Sequence, residues 1–320
     1  MSESPLPPRP IISVAIIPRS NSDHEKFQRA LQIIAQEDPT IQIKTEFLSG
    51  QTIVSGMNEL HLEMRCHRIL DEFKIQLDIG EPRVIYLETI RRHAEGEGKY
   101  IRQTGGSGNY AHCKLRVEPN EPGKGYEFIN NINNQAIPTQ YITPIDEGVQ
   151  RALEQGILAG HPMVDIKVTL FDGSYHEVDS NQMAFKIAGS MALKEAARKA
   201  KPIRLEPVMN VEITISEEYM GFIISDLNTR RGRIEEIERA TDELQVIKAT
   251  VPLAQMLGYG RHIRSNTQGR ANYSMKFARY EAAPRPDGPG DDYPYVGAKK
   301  TTRPKLRSGS AAASLDVKLK

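Results

Sequence analysis

The chain has 320 residues, of which 39% are hydrophobic and 26% charged, with a formal net charge of +1. This composition excludes a collagen, a disulfide-dense toxin and a largely disordered chain, and the near-zero charge leaves only local patches to hold nucleic acid. A chain of this length carries a prior of about two domains.

Met1 to Pro10 is Pro-rich and has no apolar signal core, so residues 1–9 read as a leader and the protein as cytoplasmic. Residues 10–83 alternate strand and helix signals. Ile11 to Ile17 predicts a buried strand, and Ser22-Asp23-His24-Glu25 has capping-box spacing. Phe27, Ala30, Leu31 and Ile34 follow at helical spacing until Asp38-Pro39 closes the helix. Ile41 to Ile43 and Gln51 to Val54 predict two strands. Leu62, Cys66, Ile69, Leu70 and Phe73 mark a second helix, and Ile75, Leu77 and Ile79 a closing strand. The order is βαββαβ, a split sandwich with both helices on one sheet face.

Residues 84–202 have a different texture. Val84 to Leu87, Cys113 to Val117 and Tyr126 to Ile129 predict strands between Gly-rich loops. Thr143 and Pro144 predict the N-cap and first turn of a helix with Ile145, Val149, Ala152 and Leu153 inward. Val164 to Leu170 alternates as a strand. A polar loop then leads to a helix with Met183, Ile187, Met191 and Ala192 inward.

Residues 203–282 repeat the first pattern. Met209, Val211, Ile213 and Ile215 alternate, and Met220, Ile223, Ile224 and Leu227 form a helix stripe that stops at Gly232 as C-cap. Strands over Ile234 to Ile237 and Leu244 to Val251 and a short helix with Leu253, Met256 and Leu257 follow. Tyr273, Met275 and Phe277 point inward from the last strand. Residues 283–320 lack apolar periodicity and read as a disordered tail.

No phosphate-binding GxxxxGK[ST] loop occurs: Gly98-Lys99 runs into Tyr100 and Gly123-Lys124 into Gly125. NKxD, HExxH and GxSxG patterns are also missing from the sequence, so no nucleotide, metal or hydrolytic site is expected. Cys66 and Cys113 lack CxxC spacing and fit a reducing compartment. No apolar run approaches the roughly 20 residues of a membrane span. His61 and His67 do not share a helix face and read as solvated.

Three features carry chemistry. Gly105, Gly106 and Gly108, with Ser107 and Asn109 among them, would let backbone amides approach an anion or a nucleic-acid backbone; a hairpin tip is the plainer reading. Tyr175 and His176 offer a stacking face and a donor suited to RNA, although the same loop reads equally as a surface turn whose Asp179 caps the next helix. Arg230, Arg231 and Arg233 either complement a helix C-terminus or contact phosphates.

Ser55 to Glu63, reading SGMNELHLE, resembles the SGMGELHLE segment of translation elongation factor G. So do Glu88 to Arg91, Gly106 to His112, Gly125 to Phe128, Ile137-Pro138, Gly173 to Asp179 and Leu205 to Pro207. Arg230 to Gly232, Val251 to Leu253, Gly258-Tyr259 and Arg264-Ser265 continue in order. The resemblance covers about residues 10 to 281 and corresponds to the family's third, fourth and fifth domains. It implies an α+β protein: two ferredoxin-like βαββαβ domains flanking a ribosomal-protein-like α/β arm. It also implies that the GTPase domain, with its GTP and magnesium, lies outside these residues, so this chain is expected to have no cofactor and no enzymatic activity. In the family the arm enters the decoding region and contacts tRNA and mRNA during translocation. Its tip corresponds here to Gly105, Gly106, Ser107, Gly108 and Asn109 together with Tyr175 and His176. The implied partners are the ribosome, rRNA, tRNA and mRNA, with Arg230, Arg231 and Arg233 on the large subunit, no membrane, and a monomeric chain. Ser107, Asn109 and Ala111 stand where the family commonly reads Arg, Gln and Gly, and Asn58, Phe222 and Ser225 depart likewise. A recycling or ribosomal protection paralogue, or a standalone RNA-binding module, therefore stays open.

Overall fold

The structure, a computed structural model, describes residues 9–45, 51–102, 108–132, 136–241 and 243–284. The expected tail thus lies outside the described residues except for its first two, as do Gly105, Gly106 and Ser107.

The first unit comprises β1 (Ile12–Pro18), α1 (His24–Glu37), β2 (Gln42–Thr45), β3 (Thr52–Gly56), α2 (Glu59–Asp71) and β4 (Leu77–Ile79). Its antiparallel sheet has the order β2-β3-β1-β4, so the first and third strands are central, as the βαββαβ pattern predicts. α1 buries Phe27, Ala30, Leu31 and Ile34, and α2 buries Leu62, Cys66 and Ile69. The expected capping box at Ser22 does not form: a 3-10 turn precedes α1, and the Ser22 hydroxyl pairs with that of Ser20 at 2.7 Å. α2 is capped by Asn58, whose side chain accepts the His61 N–H at 2.8 Å. That cap gives the departure at Asn58 a structural reason. His61 is not solvated as expected. Its Nε2 lies 2.7 Å from Asp38 Oδ2, because the α1 C-terminus brings that carboxylate against α2.

The predicted strand from Val84 to Leu87 is two strands in two different sheets. β5 (Arg83–Val84) pairs with β1, and β6 (Leu87–Ile90) pairs with the first residues of β11 in the third unit. The apolar run is continuous, but the chain changes partners within it.

The arm contains β7 (Ala94–Arg102), β8 (Asn109–Pro119), β9 (Tyr126–Asn130), α3 (Ile142–Gln155), β10 (Ile166–Ser174) and α4 (Gln182–Lys199). Its sheet runs β7-β8-β10-β9, with β9 parallel to β10. α3 begins at Ile142, after a 3-10 turn from Thr139 to Tyr141, so Thr143 is inside the helix and not its N-cap. α4 packs on β7, β8 and α3. Its inward face is Ala184, Phe185, Ala188, Ala192 and Ala196, whereas Met183 and Met191 are exposed. The expected methionine stripe is displaced because at Ala188, Ala192 and Ala196 the helix backbone lies too close to β7 for long side chains. A Cβ on Gly96 would come 2.4 Å from the Ala192 carbonyl oxygen, and one on Gly148 2.0 Å from that of Lys186.

The third unit is β11 (Pro202–Ser216), α5 (Glu217–Thr229), β12 (Arg233–Arg239), β13 (Leu244–Pro252), α6 (Tyr259–Asn266) and β14 (Asn272–Ala282). The sheet order β12-β13-β11-β14 repeats that of the first unit. Tyr273 packs inward, edge-on to Tyr259 at 5.4 Å. Phe277 is expected inward too but is 38% exposed, because it sits on the edge strand beside a register shift at Val208/Met209. The buried apolar side chains of the first and third units form one continuous cluster, while the arm has its own. Across the junctions Tyr280 Oη donates to the Ile85 carbonyl at 3.1 Å and Gly258 N–H to Glu59 Oε2 at 3.1 Å. No described helix is long and apolar enough to cross a membrane.

Candidate nucleic-acid interface at the arm tip

The start of β8 and the loop after β10 meet at one end of the arm sheet. Asp179 joins them: its Oδ1 accepts the Gly108 N–H at 2.9 Å and its carbonyl accepts the Tyr110 N–H at 2.8 Å. Ser180 Oγ donates to the Tyr110 carbonyl at 2.9 Å, and Asn181 Nδ2 donates to Asn109 Oδ1 at 2.5 Å. Asp179 therefore does not cap α4. Asn181 does, accepting the Ala184 N–H at 2.9 Å, which leaves the Asp179 carboxylate to hold Gly108, just before β8. The close approach needs Gly108, since a Cβ there would sit 3.1 Å from that carboxylate.

Tyr175 and Val178 are exposed, and the His176 side chain is 56% exposed. The loop is tied from below. Ser180 Oγ accepts the His176 N–H at 2.9 Å, and Tyr141 Oη, on a ring stacked 4.5 Å from Phe185, donates to the Ser180 carbonyl at 3.1 Å. The N–H groups of Val178 and Asp179 point at His176 Nδ1 from 3.4 and 3.3 Å, with Asp179 Oδ2 3.4 Å away. Nδ1 is thus the ring's acceptor and Nε2 its donor. The ring centroid lies 6.4 Å from that of Tyr110. The result is an exposed imidazole donor beside a phenol, on a loop fixed by side chains, which suits contact with a ribose or phosphate. Of the expected tip residues, Gly108, Asn109, Tyr175 and His176 gather here. Sequence reasoning passes over Tyr110, Ser180 and Asn181; the Asn181 cap ahead of a helical stripe is the readable signal.

A polar chain runs down the open sheet face from this tip. Tyr110 Oη is 2.8 Å from Ser174 Oγ, which is 3.0 Å from His112 Nδ1; His112 Nε2 lies 2.9 Å from Glu97 Oε1. Lys114 pairs with Asp172 at 2.8 Å and Arg116 with Glu95 at 2.8 Å on the same face.

The arginines lie elsewhere, at the end of α5. Gly232 is not the left-handed cap expected: that position is Arg231, with φ of 59°. Gly232 follows it, donating to the Leu227 carbonyl at 2.7 Å, and has no room for a Cβ, which would meet that oxygen at 2.8 Å. Arg230 is held by Asp226, by the Gln255 carbonyl at 2.6 Å and by the Tyr259 ring, 4.8 Å from its guanidinium carbon. Arg231 pairs with the buried carboxylate of Glu206. Arg233 is 73% exposed, with Glu281 3.5 Å away.

Residues 7–81 match the family description Elongation Factor G, domain III, residues 82–201 match Elongation factor G, domain IV, and residues 203–287 match Elongation factor G C-terminus. Among solved structures, the crystal structure of ttk003000868 from Thermus thermophilus is 37% identical, with a TM-score of 0.66. The similarity covers 87% of this chain and 41% of that one, so this chain spans less than half of that protein's length.

Proposed function

The chain belongs to the elongation factor G family, and on that premise we propose that it is a ribosome-binding portion of such a factor that supports movement of tRNA and mRNA through its arm. The observation that carries this reading is the clamped tip, where Asp179 holds Gly108 while His176 stays exposed, its Nε2 without a partner among the described residues. A clamped loop loses little freedom on binding, so its contacts convert more fully into affinity. The arm acts sterically and electrostatically and makes no covalent step. Arg233 adds a phosphate contact on the large subunit, with Arg230 and Arg231 shaping that edge. GTP and magnesium belong, in this reading, to a GTPase domain of the complete factor, and the chain acts as a cytoplasmic monomer.

The test is binding of the labelled chain to ribosomes carrying mRNA and tRNA, with membrane vesicles and free single-stranded RNA as comparisons. Saturable, salt-sensitive binding to ribosomes is expected. Equal affinity for free RNA would favour a standalone RNA-binding module, and no ribosome binding would contradict the reading.

A further inference from the structure

We infer that His112 is a positioning residue for the arm tip, setting the direction in which the Tyr110 hydroxyl donates its proton. The inference rests on the arm-tip reading for its functional meaning, but its geometry stands alone.

The chain Glu97–His112–Ser174–Tyr110 has one consistent hydrogen-bond polarity for each protonation state of His112. Glu97 Oε1 lies 2.9 Å from Nε2, off the ideal line of a ring N–H bond but in direct electrostatic contact. Its negative charge favours the ring's first proton on that nitrogen over Nδ1. Nδ1 is then an acceptor, and its partner at 3.0 Å is Ser174 Oγ, which must donate. A serine hydroxyl has one proton. Having given it to His112, Ser174 must accept from Tyr110 Oη at 2.8 Å. With neutral His112, therefore, the Tyr110 proton points inward to Ser174.

A second proton on His112 occupies Nδ1, which now donates to Ser174 Oγ. Ser174 turns its own proton to Tyr110 Oη, and the phenol proton must leave the chain. It is then available to an acceptor outside the protein, beside the exposed ring of His176 at 6.4 Å. No heavy atom has to move; three donors reverse together.

Charged and titratable groups face His112 from both neighbouring strands. From β7 come Glu97 and the residue paired with His112, Lys99. Lys114 is two residues along β8, and Asp172 and Ser174 come from β10. Lys114 and Asp172 neutralise one another at 2.8 Å, and the Lys114 hydrogen bond holds the Asp172 carboxyl below its usual range. Glu97 then faces the ring against Lys99, with Glu97 the one in direct contact.

The experiment is carbon-13 NMR of the full chain, labelled at tyrosine Cζ and histidine Cε1, from about pH 5 to about pH 8.5, around the histidine range. Loss of one signal in Tyr110→Phe assigns Tyr110. A step in the Tyr110 signal with the midpoint of the His112 signal is expected. The step should vanish in Ser174→Ala and in His112→Asn, whose side-chain oxygen replaces the Nδ1 acceptor without titrating. His176 also neighbours Tyr110, but neither variant removes it, so a step that survives both belongs to His176 and overturns the proposal. A flat Tyr110 signal in the unsubstituted chain overturns it as well. Affinity for ribosomes carrying mRNA and tRNA, measured at both ends of the range, tests the arm-tip reading separately: no ribosome binding at either pH sinks that reading, while the Tyr110 step still decides the relay.

Discussion

Gly98 and Ala188 meet backbone to backbone: a Cβ on Gly98 in β7 would lie 1.9 Å from the Ala188 carbonyl oxygen in α4. The neighbour is helix backbone and cannot turn aside. Gly98→Ala should cost at least about 1–3 kcal/mol, the range for overpacking. Gly221 in α5 is the opposite case, with nothing within 4 Å of its Cβ position. Gly221→Ala should stabilise by roughly 0.5–1 kcal/mol through helix propensity. Denaturant unfolding of both variants checks the contrast, and a change of the same sign at the two sites would contradict it.

Glu88 is fully buried, and its carboxylate accepts four N–H groups, those of Ile157 at 2.7 Å, Leu158 at 2.8 Å, Ala159 at 2.7 Å and His161 at 3.1 Å. β6 carries this residue while pairing with β11, so one side chain joins the loop after α3 to the third unit's sheet. Glu88→Gln turns one acceptor into a donor and strands two N–H groups. The expected loss is about 3 kcal/mol, at roughly 1–3 for each. Hydrogen exchange should quicken at residues 157–161; unchanged protection there would show that the loop is held by other contacts.

Asp38 makes the first unit acid-sensitive. Burial alone would raise its pKa, but hydrogen bonds from Thr40, His61 and Arg65 outweigh burial and hold the carboxyl well below the usual range. A depressed folded pKa stabilises the protein above the unfolded value, about 3.9. That contribution is lost as pH falls below it. Unfolding midpoints measured between about pH 5 and about pH 2 should fall more steeply for the unsubstituted chain than for Asp38→Asn. Parallel slopes would mean that other carboxylates govern acid unfolding.

The arginines at the end of α5 separate by burial. Arg230→Ala removes contacts to Asp226, the Gln255 carbonyl and the Tyr259 ring, and should cost about 2 kcal/mol of stability. Arg233 is exposed, so Arg233→Ala should stay within about 0.5 kcal/mol. The same change should lower the salt slope of ribosome association by about 1 if Arg233 meets a phosphate. An unchanged slope removes Arg233 from the interface.

The two βαββαβ units are legible because their strands and helices bury ordinary aliphatic stripes, such as Met209, Val211, Ile213 and Ile215. The arm is harder to read. α4 hides an alanine face against glycine, and no hydropathy pattern distinguishes that from a methionine stripe one residue away. The split between β5 and β6 depends on which sheet each end meets, which local sequence does not encode. At the tip, the residue types come from the sequence. Their bonding does not: Asp179 and Asn181 are both plausible caps, and only the position of Gly108 decides which carboxylate or amide is free. At Arg231 and Gly232 the glycine rule fails because glycine is needed for space, not for a positive φ.

The proposed contribution of the arm to translocation is tested most directly with His176→Ala. The side chain is exposed, so stability should change by no more than about 0.5 kcal/mol. A complete elongation factor G whose third to fifth domains are replaced by this chain should translocate about tenfold more slowly with the substitution, the effect of roughly 1.4 kcal/mol in the barrier. Its ribosome-stimulated GTP hydrolysis should be unchanged. An unaltered translocation rate, or hydrolysis falling in step with translocation, would contradict the assignment of His176 to the RNA contact.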